Sequence, residues 1–148
     1  MGKILIVYGS VTGNTESIAH LIEKKFTAAG HEVTVKSAGE CKAAGLAEGF
    51  DAVLLGASCW GEDEIEMQED FAALMGDADK MGLSGKLVAA FASGDQSYQY
   101  FCGAVDVVEE EAPKLGATLA AEGLRLEGDG GSDDAAVGAF ADAVMAKL

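Results

Sequence analysis

The sequence predicts an α/β fold: a three-layer α/β/α sandwich around a five-stranded parallel sheet of order 2-1-3-4-5. Three observations carry this. Strand-like and helix-like stretches alternate along the chain, separated by short polar turns. Three strand-like runs, residues 3–8, 52–57 and 86–92, are apolar at nearly every position, as in strands buried on both faces. The turn Gly9-Ser10-Val11-Thr12-Gly13-Asn14-Thr15 leads from the first of these runs straight into an amphipathic helix. A strand, a turn of glycines and hydroxyl residues, and a helix N-terminus in that order make an anion site.

The elements follow in order. Residues 3–8 form the first strand, and residues 16–29 the first helix, which Gly30 stops. Residues 32–36 form the second strand, with Val33 and Val35 inward. Residues 37–49 are looser, with a short helix expected around 42–48. Residues 52–57 form the third strand, apolar on both faces and therefore central. A short helix is expected over 66–75, the fourth strand over 86–92, and a helix over 101–115 whose last turn Pro113 disturbs. The fifth strand is expected over 118–126, with Gly123 as its weak point. Asp133 and Asp134 are placed to cap a last helix reaching Leu148. With no repeat, linker or low-complexity tract, residues 1–148 read as a single domain.

Composition narrows the class. The chain has 148 residues, enough for one domain with a proper core, and its 49% hydrophobic content argues against disorder. Ten basic residues against 25 acidic ones give a net charge of −15. That balance makes nucleic acid and anionic membranes poor partners and favours basic protein surfaces, although charge also serves plain solubility. Cys41, Cys59 and Cys102 show no C-x-x-C spacing, which suits a reducing cytoplasm. His20 and His31 lie near no cysteine pair, so no metal site is expected. The opening apolar run is too short for a signal peptide or a membrane span.

The loop at 9–15 suits a phosphate monoester. The first N–H groups of a helix have no backbone partner, and the helix dipole is positive there. Ser10, Thr12 and Thr15 add hydroxyl donors, Asn14 adds an amide, and Gly9 and Gly13 relax the backbone. The loop holds no Lys or Arg, unlike a nucleoside-triphosphate loop, and no Cys–Arg pair, unlike a phosphatase loop. Taken alone, it also reads as an ordinary capped helix. In a sheet of this order, ligands bind at the carboxyl ends of the strands near the switch point. That rule joins loop 9–15 to loops 58–66 and 93–101. The chain's one tryptophan, Trp60, lies in the second loop, and Tyr98 and Tyr100 lie in the third. Aromatic residues flanking a phosphate site suit a flat ring system.

Three stretches match one family. They are Tyr8-Gly9-Ser10-Val11-Thr12-Gly13-Asn14-Thr15-Glu16, Ser58-Cys59-Trp60-Gly61, and Gly94-Asp95-Gln96-Ser97-Tyr98-Gln99-Tyr100-Phe101-Cys102-Gly103-Ala104. Over essentially its whole length the chain resembles a flavodoxin. With its last strand read as uninterrupted, it resembles the short-chain type, and its wording resembles the flavodoxins of sulfate-reducing anaerobes. The resemblance implies the flavodoxin-like form of the predicted sandwich and one non-covalently held FMN. It also implies a low-potential, one-electron carrier rather than an enzyme, cycling mainly between semiquinone and hydroquinone.

Carried over by residue, the resemblance gives Ser10, Thr12, Asn14 and Thr15 the FMN phosphate, with backbone N–H groups from Val11 and Gly13. Trp60 would stack on the inner ring face and Tyr98 on the outer, while Gly61 would offer its carbonyl to flavin N5. Ser58 would lie near the ribityl chain, and Asp95 and Cys102 would give N–H groups to the pyrimidine edge. Cys59, Ser93, Gly94, Tyr100 and Phe101 complete the expected cofactor-binding set. Val11, Cys59 and Ser93 depart from the usual Thr, Thr and Cys, and only at Cys59 is a side-chain contact at stake. Glu62, Asp63, Glu64, Glu66 and Asp95 would surround the reduced ring. One charge at ~10 Å, with an effective dielectric near ~40, costs about 0.8 kcal/mol, so several acids lower the potential by on the order of 100–200 mV. The implied partners are redox proteins with basic docking surfaces, such as cytochromes and oxidoreductases, met by a cytoplasmic monomer.

Two rivals share parts of this pattern. A phosphorylation-controlled receiver domain has the same strand order but needs an acidic pair after strand one and an Asp after strand three. Here those positions hold Gly9-Ser10 and Ser58-Cys59. A nicotinamide-dependent quinone reductase needs a second substrate pocket and a general acid, which a chain of this length does not announce.

Overall fold

Alternating burial along the first strand builds the layers. In β1 (Lys3–Gly9), Ile4 and Ile6 pack to one side of the sheet and Leu5 and Val7 to the other, all fully buried. The computed structural model describes residues 2–9, 14–42, 44–60, 66–67, 69–94, 103–127 and 134–148. Within them the chain runs β1, α1 (Asn14–Ala28), β2 (Glu32–Ser37), β3 (Ala52–Trp60), β4 (Glu66–Met67) and α2 (Glu69–Gly76). It continues through β5 (Leu87–Gly94), α3 (Gly103–Lys114), β6 (Thr118–Leu119), β7 (Leu124–Glu127) and α4 (Asp134–Met145). The sheet order is β2-β1-β3-β5, with β6 and β7 both pairing to the outer side of β5. Counted by position, this is the expected order 2-1-3-4-5, and all of these pairs are parallel.

Helices cover both faces. Val53 and Leu55 of β3 and Val88 and Ala90 of β5 join Leu5 and Val7 against α2 (Phe71, Met75) and α3 (Val105, Val108). Leu54 and Phe91 join Ile4 and Ile6 on the other side, against α1 (Ile18, Ile22, Phe26) and α4 (Val137, Phe140, Val144). Each fully buried Val, Leu, Ile or Phe among them contributes about 1.5–3 kcal/mol of transfer free energy. Gly56 of β3 stands in register with Phe91 of β5, and a Cβ on it would run into the Phe91 ring. Only glycine leaves room for that ring against the central strand.

Several boundaries differ from the expectation, each for a physical reason. β3 does not stop at Ala57. Its parallel ladder with β5 continues through Ser58↔Ser93, and Cys59 and Trp60 then pair antiparallel with Met67 and Glu66 of β4. Glu66 and Met67 are therefore strand, and the helix expected from residue 66 begins at Glu69. Among the described residues of 42–48 no helix forms. A short 3-10 turn at Ala38–Glu40 comes first, and residues 44–49 are turns tied to the loop after α2. There the Gly45 N–H donates to the Lys80 carbonyl at 2.9 Å and the Ala47 N–H to the Met81 carbonyl at 2.9 Å. Gly45 adopts φ +69°, which a continuing helix does not allow.

The last strand is not uninterrupted, because residues 120–123 separate β6 from β7. The gap spans four residues, and the Gly123 N–H within it turns to Glu109 Oε2 of α3 at 3.0 Å. Pro113 does not end α3 early; the chain leaves the helix through tight bonds such as Gly116 N–H to Pro113 carbonyl at 3.1 Å. The final helix ends at Met145, three residues before Leu148.

Candidate functional site

The strand register brings the three candidate loops to one edge. Gly9, the last residue of β1, stands opposite Ala57 of β3, and Ala57 stands opposite Ala92 of β5. Neighbouring strands lie about 4.8 Å apart, so the roots of all three loops fall within ~10 Å. This is the switch point: β1 leads outward to β2 on one side, and β3 leads to β5 on the other.

At this edge α1 begins with Asn14, so the N–H groups of its first turn lie there. Thr15 is fully buried, the only buried polar residue among those described. Glu16 follows in the first turn, where the helix dipole favours an anion. Its carboxylate accepts a hydrogen bond from the Tyr8 hydroxyl, Oη to Oε2 at 3.1 Å. Burial first, then the bond and charge of Glu16 and the charge of Glu40, push the Tyr8 phenol above its ordinary value. His20, one turn further along α1, lies 3.9 Å from Glu16 and 3.1 Å from Glu23, with its ring 6.4 Å from that of Tyr8.

The second root is a two-residue antiparallel clasp: Trp60 pairs with Glu66, so the chain positions before and after 61–65 sit side by side. The third root lies between Gly94, at the end of β5, and Gly103, at the start of α3. An ion pair ties that end of α3 down. Arg125, the chain's one arginine, donates from Nη2 to Asp106 Oδ1 at 2.5 Å and from Nη1 to Oδ2 at 3.3 Å. Asp106 lies in the first turn of α3 and Arg125 in β7, opposite Ala92.

Of the sequence-predicted residues, the structure places the backbones of Asn14, Thr15, Ser58, Cys59, Trp60, Ser93 and Gly94 at this one edge. Ser10, Val11, Thr12, Gly13, Gly61, Asp95, Tyr98, Tyr100, Phe101 and Cys102 lie outside the described residues. Three supports carry no sequence assignment: the Tyr8–Glu16 bond, the β4 clasp and the Arg125–Asp106 pair. Tyr8 and Glu16 bracket the first matched stretch, and a lone arginine in so acidic a chain was the available signal for the third. Cys41 stands apart, with its thiol donating to the Ser37 carbonyl at 3.3 Å and raised chiefly by burial. It lines an open hollow of about 480 Å³ beside α2 that shares no residue with the three loops. Among the described residues, no cluster of His, Cys, Asp or Glu could hold a metal ion, and no helix is long and apolar enough to cross a membrane.

Comparison with known proteins agrees with this geometry. The flavodoxin family model matches residues 6–139. A flavodoxin of Nitratidesulfovibrio vulgaris (strain Miyazaki F) is 45% identical over 148 residues, covering all of both chains. One from Maridesulfovibrio salexigens is 44% identical over 134 residues, covering 90% of this chain and 92% of its own. Among solved structures, oxidised flavodoxin 2 from Bacillus cereus superposes with a TM-score of 0.90 at 37% identity, covering 99% of each chain.

Proposed function

The chain belongs to the flavodoxin family, and we infer that its three edge loops hold one FMN with which it carries single electrons between other redox proteins. It is an electron-transfer protein, not an enzyme. The observation that carries the site assignment is the register Gly9–Ala57–Ala92, which sets three ligand-type loops on adjacent strands. The donor set fits the group. A phosphate needs several N–H and O–H donors, and residues 10–15 with the start of α1 supply them without a fixed cation. Bound there, FMN supplies one-electron chemistry, and the protein tunes it.

Ser10, Thr12, Asn14 and Thr15 hold the phosphate, together with the N–H groups of Val11 and Gly13. Trp60 and Tyr98 cover the two ring faces, and Gly61 presents its carbonyl to N5. Ser58 lies near the ribityl chain, where Cys59 replaces a usual Thr contact, Asp95 and Cys102 give N–H groups to the pyrimidine edge, and Ser93, Gly94, Tyr100 and Phe101 complete the set. Support for the Trp60 assignment comes from the β3–β4 clasp, which holds the backbone of residue 60 at this edge. Partners present basic surfaces, as a net charge of −15 favours, and the protein meets them as a cytoplasmic monomer built of one domain.

The test is direct. Purified protein is expected to be yellow, with flavin emission quenched, and stripped protein is expected to bind FMN far more tightly than riboflavin. Equal affinities for the two would overturn the phosphate assignment. A colourless protein that takes up no added FMN would overturn the site altogether.

A further inference from the structure

We propose that Tyr8 and Glu16 are positioning residues for the phosphate loop: the Tyr8 hydroxyl, by holding the Glu16 carboxylate, ties the two ends of segment 10–13 together. The proposal rests on the assignment of phosphate to residues 10–15. Tyr8 is the penultimate residue of β1, and Glu16 is the third residue of α1. The bond between them, 3.1 Å long, therefore closes a ring around residues 9–15, which include every donor assigned to the loop.

Each end of that ring is anchored by different means. β1 cannot shift, because it is laddered to β2 and β3 on both sides and Ile4 to Val7 are fully buried. α1 is held along its length by Ile18, Ile22 and Phe26, all buried against the sheet and α4. Those contacts begin a full turn beyond Asn14. At the first turn, the buried Thr15 and the Tyr8–Glu16 bond hold the helix.

Glu16 also presents an electrostatic difficulty that the bond relieves. A carboxylate in the first turn of a helix whose N-terminus receives a phosphate dianion repels the ligand. Donation from Tyr8 Oη ties this carboxylate to the strand. The charged and titratable groups that face the phenol are Glu16 from α1, Glu40 from the turn after β2, and the His20 ring. Both acids favour the protonated phenol, so Tyr8 serves as a donor.

The effect is specific to the phosphate and so separable from general stability. The experiment measures dissociation constants of FMN and riboflavin for the wild type, Tyr8→Phe and Glu16→Gln. Tyr8→Phe keeps the ring and removes the donor, and Glu16→Gln keeps an acceptor oxygen and removes the charge. Tyr8→Phe is expected to cut the riboflavin-to-FMN ratio of dissociation constants by about two- to five-fold, a change of the size a partly exposed charge-assisted bond gives. Riboflavin affinity itself stays put, and Glu16→Gln leaves the ratio at or above that of the wild type. An unchanged ratio in Tyr8→Phe would overturn the proposal, as would an equal loss for both ligands. A fall in Glu16→Gln as large as in Tyr8→Phe would also overturn it, since the contact survives that change. If the wild type itself shows no preference for FMN, the fault lies in the phosphate assignment instead.

Discussion

The two ends of the cofactor edge are held in different ways. At the phosphate end, four residues join β1 to α1, the helix start supplies neutral donors, and the cross-tie comes from residues 8 and 16 of the same short stretch. At the ring end, residues 61–65 and 95–102 follow strands that run past the apolar core, and the supports are a backbone clasp and an ion pair between two elements. Those supports are β4 clasped on β3, and Arg125 of β7 locked to Asp106 of α3. A site that must hold a charged group permanently benefits from short connections and preformed donors. A site that must tune a redox group benefits from segments whose backbone can differ between redox states. The contrast suggests that the phosphate end sets affinity and the ring end sets potential, and four perturbations put this to work.

The largest effect belongs to the phosphate end. Thr15→Ala removes a hydroxyl from a fully buried position beside the helix start, and Thr12→Ala removes one from the loop itself. Each is expected to weaken FMN binding by ~1–3 kcal/mol, the range for losing a donor to a charged acceptor. Both one-electron potentials should stay within a few tens of millivolts of the wild type, to the order the contrast requires. Calorimetric titration of stripped protein followed by a redox titration checks both halves. A potential that moved as far as the affinity would erase the distinction between the two ends.

Gly61 inverts that pattern. It follows Trp60, whose backbone is fixed by Glu66, so any redox-linked rotation of the 61–62 peptide starts from a fixed point. Bound FMN would present N5 as an acceptor when oxidised and as a donor when reduced, and Gly61 would offer its carbonyl there. A carbonyl that turns to meet it needs a backbone angle that a Cβ opposes by about 1–2 kcal/mol. Gly61→Ala is thus expected to lower the first one-electron potential by ~40–90 mV, with FMN still bound. An unchanged potential would mean that another group meets N5. Trp60→Ala should act more weakly on both axes: loss of stacking costs about 0.5–1.5 kcal/mol of affinity beyond area, and flavin emission should partly recover. Affinity and emission both unchanged would mean that Trp60 does not touch the ring.

The same contrast shows what the sequence makes legible. The sheet order followed from three apolar strands and one turn, because burial on both faces leaves near-continuous apolar runs that composition reveals. Strand ends were misread for the opposite reason. Ser58, Cys59, Trp60, Ser93 and Gly94 look like loop because they are polar, small or aromatic, yet backbone ladders continue wherever a partner strand does. Glu66-Met67 read as helix because two residues carry no period, and only their pairing with Cys59 and Trp60 makes them strand. The phantom helix at 42–48 had adequate helix formers, but the backbone donors there are claimed by Lys80 and Met81 from far along the chain. Tyr8–Glu16 and Arg125–Asp106 are contacts between side chains eight and nineteen positions apart, beyond what any local pattern encodes. The cofactor loops themselves were found by motif, and their residue roles rest on that match together with the shared edge.

The smallest effect concerns the acids of the ring end. Asp63 lies between Trp60 and Glu66, the clasped pair, and Asp95 directly follows the end of β5. Both are close in sequence to described backbone at the cofactor edge, and in a chain of net charge −15 their carboxylates would add to a field that opposes electron addition. A single charge at ~10 Å costs about 0.8 kcal/mol at an effective dielectric near ~40, equivalent to about 35 mV for one electron. Asp63→Asn with Asp95→Asn should raise the second one-electron potential by tens of millivolts, and the rise should shrink as salt increases. FMN affinity should hardly change, since the phosphate sits at the other end of the cofactor. The same double variant should associate more slowly with a basic redox partner at low salt and at an equal rate at high salt, where steering is screened. A second potential unmoved at every salt concentration would leave the acidity of these loops to docking and solubility, and the ring end would then owe its potential to stacking and backbone alone.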